Sequence, residues 1–111
     1  MLFQRVMNCQ SGRFMENNFM YNLKLNEFAQ IANRSLSKFK VDFFEHYKTT
    51  LEKWVLNKRL AYAKQLLATT SKNISEIAYE SGFEIISHFS RVFKTKYKAS
   101  PSVLKKSFNI I

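Results

Sequence analysis

The 111 residues carry 18 lysines and arginines against 8 acidic groups, a formal charge of +10 on a chain that suits one domain with a modest core. That balance points to a polyanionic partner, nucleic acid before an anionic membrane surface. Two glycines, one proline and almost no alternating apolar pattern exclude a sheet-rich fold, and no apolar run approaches the ~18 residues of a membrane span.

Met1 to Gly12 carries little information, and Ser11-Gly12 reads as a break. The N-terminus lacks a secretory pattern. Cys9, alone, cannot form an internal disulfide and fits a reducing compartment; no cationic pocket beside it marks a reactive thiol. Phe14, Met15, Phe19 and Met20 suggest a short helix whose apolar side closes over the next two helices. Leu25, Phe28, Ala29 and Ala32 give the inner face of a supporting helix. Asn33 then offers a residue that tolerates a left-handed turn. Ser35 caps a helix running to about His46, with Leu36, Phe39 and Phe43 inward and Ser37, Lys38, Lys40 and Val41 outward.

Thr49 and Glu52 form a capping box for a helix running to about Ala68, with Leu51, Trp54, Val55, Leu60, Ala63, Leu66 and Leu67 inward. About 19 residues at ~1.5 Å each span roughly 28 Å. A spacer of that length suits two probes near the ~34 Å repeat of successive major-groove turns. On the plainest reading Lys58, Arg59 and Lys64 would be a solvated basic face. After the polar turn Ala68 to Lys72, Asn73 and Glu76 form another capping box, and Ile74, Ile77, Ala78 and Ser81 make one narrow face. Gly82 supplies the positive φ of a sharp exit. Phe89, Val92 and Phe93 then point inward, and Ser87, Arg91, Lys94 and Thr95 share the opposite face. Ser100-Pro101 opens a last helix docked by Val103, Leu104 and Phe108. A supporting helix, a tight turn and an amphipathic helix with a polar, Arg-bearing face are the sequence form of helix-turn-helix.

The pattern occurs twice. Phe28-Ala29 overlays Ile77-Ala78 and Asn33 falls on Gly82. With one more residue in the second turn, Ser37 matches Ser87, Phe39 matches Phe89, Phe43 matches Phe93 and Tyr47 matches Tyr97. Thr50 matches Ser100, and Trp54 matches Leu104. The expected fold is all-α, with two helix-turn-helix subdomains joined by a long central helix and about seven helices in all. The expected organisation is an N-terminal segment over 1–22 and a tandem domain over 23–108. Within it the first unit covers 23–48, the linker helix 50–68 and the second unit 73–108.

Three groups of residues resemble the DNA-binding domain of AraC/XylS-type transcriptional regulators across roughly Leu23 to Phe108. They are Arg59-Leu60 with Ala63 and Leu66-Leu67; the run from Ile74 through Gly82-Phe83 and Ser87-His88-Phe89-Ser90-Arg91 to Phe93-Lys94; and Ser100-Pro101. The resemblance implies sequence-specific binding of double-stranded DNA by two major-groove recognition helices, regulating transcription. It nominates Ser37, Lys38, Lys40 and Val41 in the first unit, and Ile86, Ser87, His88 and Arg91 in the second, as base readers. Ile86, at the border of the inner face, suits packing as well as contact with a thymine methyl. Lys48, Lys94, Thr95, Lys98, Lys105 and Lys106 would meet the DNA backbone, and Arg59 looks structural. Val41 stands where Arg91 stands in the repeat, Phe44 lies a turn further along, and Asp42 adds an anion, so the first unit is expected to read bases weakly. Val41 and Phe44 could alternatively meet another protein.

RNA polymerase and a separate sensing or dimerising domain are the further partners implied, with a cytoplasmic, nucleoid-associated location. No cofactor, bound small molecule or membrane is expected. One other histidine, His46, and one cysteine assemble no metal-ligand set around His88. No phosphate loop, carboxylate pair or activated nucleophile points to an enzyme. The alternative is a basic helical module that binds an acidic protein or an anionic surface.

Overall fold

The computed structural model describes residues 12–108, and among these every regular element is a helix. In order they are α1 (residues 12–18), α2 (Leu25–Ile31), α3 (Leu36–Tyr47), α4 (Leu51–Thr69), α5 (Ile74–Glu80), α6 (Ile86–Tyr97) and α7 (Pro101–Phe108). The segment with Cys9, and the tail after Phe108, lie outside the described residues. Two compact units result. The first contains α1, α2, α3 and α4 as far as Asn57; the second contains Met20–Asn22, the rest of α4, α5, α6 and α7.

The first unit is built around aromatic rings. Phe28, Phe39 and Phe43 are fully buried with Met15, Leu51, Trp54 and Val55. Trp54 meets Phe43 edge-on at 5.2 Å and Phe19 at 6.1 Å, and Phe14 meets Phe28 at 6.3 Å. Each such ring removed from water contributes roughly 1.5–3 kcal/mol, which lets a small unit hold. Phe14, Met15 and Phe19 thus close over the first unit as expected, whereas Met20 belongs to the second. Gly12 is the first helical residue described and is buried against the Tyr47 ring; the rest of the expected break, Ser11, lies outside the described residues.

The supporting helices start alike. The Glu27 carboxylate accepts the Lys24 N–H at 2.8 Å, and Glu76 accepts that of Asn73 at 3.0 Å. Asn73 returns the bond to the Glu76 N–H at 2.9 Å, completing its capping box. Ser35 caps α3 and Ser100 caps α7 through the N–H groups of Lys38 and Val103. The start of α4 differs from expectation by one residue: Thr50, not Thr49, accepts the Lys53 N–H at 3.3 Å. Glu52 is drawn instead to Lys40, whose ammonium lies at 2.7 Å and holds the Glu52 carboxyl below its usual range.

The second unit buries Leu60, Ala63, Leu67, Ile77, Ala78, Phe83, Phe89 and Phe93. Phe83, Phe89, Phe93 and Tyr97 pack in succession as tilted rings, at 5.0, 5.5 and 4.7 Å between centroids. Lys64 lies 4.8 Å above the Tyr97 ring, so that part of the expected solvated face is a cation–π contact.

Candidate nucleic-acid interface

The turns that aim α3 and α6 share one backbone design. In the second unit Gly82, at φ 98°, donates its N–H to Tyr79 and Phe83 donates to Ala78, at 3.1 and 2.9 Å. In the first, Asn33, at φ 60°, donates to Gln30 and Arg34 to Ala29, both at 2.9 Å. Each pair of bonds is a Schellman closure, which satisfies the last carbonyls of the supporting helix while reversing the chain. The residue after each left-handed position is used differently. Phe83 turns inward onto Phe89, whereas Arg34 reaches across to the carboxylate of Asp42.

Around Gly82 the packing is tight. A Cβ there would sit 2.7 Å from Arg59 Nε and 3.0 Å from the Met20 carbonyl oxygen. The Arg59 guanidinium donates to the Tyr21 carbonyl at 2.9 Å, and burial lowers its pKa. Arg59 therefore braces the turn from behind, in line with the structural role expected of it.

On α6, Ser87, His88, Arg91, Lys94 and Thr95 are exposed while Ile86 is half-buried. The His88 ring leans edge-on toward Phe83 at 6.0 Å, and the Thr95 hydroxyl donates to the Arg91 carbonyl at 3.0 Å. Among the described residues no carboxylate pairs with Arg91. Ile85, the N-cap, offers no side-chain acceptor, so its side chain caps none of the first N–H groups of α6.

On α3 and its cap, Ser37, Lys38, Val41, Phe44 and Lys48 are exposed, and two of the lysines, Lys38 and Lys40, face carboxylates. Lys38 lies 3.6 Å from Asp42, and Lys40 pairs with Glu52. The anion that Asp42 was expected to add is only 3% exposed and turns inward onto Arg34. Three residues after Phe39 and one before Phe43, its position borders the buried face. α3 thus sets two lysines against Asp42 and Glu45, whereas α6 carries Arg91, Lys94 and Lys96 and no acid.

Both helices end on a lysine in left-handed conformation, Lys48 at φ 59° and Lys98 at φ 63°, each donating its N–H four residues back at 2.8 Å. Lysine pays a steric cost there that glycine does not. Lys98→Gly is therefore expected to raise stability by about 0.5–1 kcal/mol, read from urea unfolding; a loss would show that the side chain holds the end of α6. Lys105 is occupied as well, its ammonium on the Lys72 carbonyl, while Lys106 is exposed.

Residues 28–107 match the profile of a helix-turn-helix domain family. Over 90 residues the chain is 33% identical to the virulence regulon transcriptional activator VirF of Yersinia enterocolitica, a match covering 81% of this chain and 33% of that protein. The chain belongs to the AraC-type helix-turn-helix family. That family consists of DNA-binding transcription regulators. The C-terminal domain of the response regulator yesN from Fusobacterium nucleatum superposes with a TM-score of 0.78 at 25% identity, covering 86% of this chain and 94% of that one. The DNA-binding domain of AdpA, solved with a target DNA, shares the fold at 18% identity and a TM-score of 0.81, over 92% of each chain. The AraC-type chain spans about a third of the length of the VirF proteins it matches.

Within this AraC-type pair of units, the nominated readers of α6 lie on or beside its outer face. Those of α3 are split: Ser37 and Val41 stand clear, and the lysines are drawn into ion pairs. Sequence reasoning missed the Arg34–Asp42 pair and the two left-handed lysines. The matched positions of Lys48 and Lys98 were the available signal for the latter.

Proposed function

We propose that this chain is the DNA-binding module of a transcription regulator, with α6 as principal reader in a major groove and α3 as a weaker second probe. The observation that carries the division of labour is the exposed Arg91, with no carboxylate partner among the described residues, on a helix with no acid, against an α3 whose Lys40 is paired with Glu52 and whose Lys38 lies beside the buried Asp42. Arg91 suits the two acceptors of guanine, Ser87 and His88 suit neighbouring base edges, and Ile86 borders the groove. Lys94, Thr95, Lys98 and Lys106 provide attraction and register at the phosphates, with Lys48 the counterpart in the first unit. RNA polymerase and a sensing or dimerising domain are the partners that this reading adds.

Arg91→Ala is the direct test. Fluorescence anisotropy should show a loss of about 1–3 kcal/mol on a site selected from random duplexes, and little loss on unrelated sequence. Equal losses on both would move Arg91 to the backbone set. Failure of the parent chain to select any duplex would favour an acidic protein or an anionic surface as partner.

A further inference from the structure

The outward stripe of α3 runs Ser37, Val41, Phe44 and, at its cap, Lys48. The matching stripe of the second unit runs Ser87, Arg91, Lys94 and Lys98. The ends are the same. The two middle positions exchange cations for apolar side chains, Val41 at 53% exposed and Phe44 at 50%. The neighbouring lysines leave that stripe bare, Lys38 drawn toward Asp42 and Lys40 held by Glu52. Helical spacing puts Lys38 and Lys40 on opposite flanks of the stripe.

A probe with this surface cannot grip guanine as Arg91 can, because it presents no paired donors. The major groove holds one protruding apolar group, the 5-methyl of thymine, and a serine hydroxyl serves beside it as donor or acceptor. We propose that Val41 and Phe44 read thymine methyl groups, so that α3 selects a thymine-bearing half-site by apolar contact while α6 reads by hydrogen bonds. The inference rests on the DNA-binding reading above and adds the base chemistry of the first unit. Burying the two side chains against methyls also removes exposed apolar surface from water, which supplies affinity without new charge.

The test uses the whole chain and duplexes it selects from random DNA. Each thymine is replaced in turn by deoxyuridine, which deletes only the methyl group. At one or more thymines, affinity should fall about fourfold, the worth of one buried methyl. That fall should vanish in the double variant Val41→Ser, Phe44→Ser, while positions sensitive to Arg91→Ala keep their discrimination. Both side chains are exposed, so the variant should unfold at the parent temperature. Uracil tolerated at every position, or losses that persist in the variant, would overturn the inference and leave the DNA-binding role standing. Failure to select any duplex would overturn both. A variant that binds all duplexes like the parent yet fails to activate a promoter would give the stripe to a protein partner, and would overturn it too.

Discussion

Gly82→Val is expected to lower stability by about 3 kcal/mol or more, through two independent costs. The backbone at φ 98° lies where a β-branched residue is strained, at about 1–2 kcal/mol even for an ordinary side chain. The added atoms would also press into Arg59 Nε at 2.7 Å and the Met20 carbonyl at 3.0 Å. Arg59 cannot swing aside freely, because its guanidinium is bonded to the Tyr21 carbonyl and partly withdrawn from water. Overpacking of this kind typically adds about 1–3 kcal/mol. Urea unfolding followed by circular dichroism measures the loss, with Gly82→Ala intermediate. Asn33→Gly provides the control: the first turn already accepts a left-handed residue, so glycine there should leave stability near the parent value. If Gly82→Val unfolded at the parent midpoint, the bond from Phe83 to Ala78 would not be what fixes the start of α6.

The turns were readable from the chain because left-handed geometry selects few residue types, and Gly82 and Asn33 are two of them. Caps were readable where one hydroxyl or amide had one plausible helix to start, as at Ser35, Asn73 and Ser100. Thr49 and Thr50 stood side by side, and Glu52 chose between them only through Lys40, a partner on another helix. Contacts of that reach leave no local trace. For the same reason the engagement of Lys105 by the Lys72 carbonyl, 33 positions away, was hidden, and it removes one cation from the expected phosphate set. Lys48 and Lys98 show the opposite limit. Nothing in a lysine favours a left-handed backbone, so the conformation is imposed by the turn after each helix rather than chosen by the residue. The outer face of α6 was legible because its polar residues make few contacts with other helices; on α3 the partners of Lys40 and Asp42 lie outside the helix and left no mark in its own pattern.

Asp42→Asn tests the α3 face, with opposite effects expected on folding and on binding. The Asp42 side chain is 5% exposed and paired with Arg34, whose side chain is only 12% exposed. Neutralising one member of such a pair leaves a cation in a poorly solvated place, which costs about 2–4 kcal/mol when burial is incomplete. Trp54 lies in the same unit, 5.2 Å from Phe43, so its fluorescence reports the loss. Replacing both partners with apolar residues, as in Arg34→Met with Asp42→Leu, should recover much of it, because both charges are then removed together. Binding should move the other way at temperatures where the variant stays folded. Lys38, 3.6 Å from Asp42 and itself exposed, would be released toward solvent and could meet a phosphate. One added contact steepens the fall of log K with log salt by about 0.9 on unrelated duplex. An unchanged slope would mean that Lys38 points away from the backbone whether or not Asp42 holds it, and the weakness of the first probe would then lie in its apolar stripe alone.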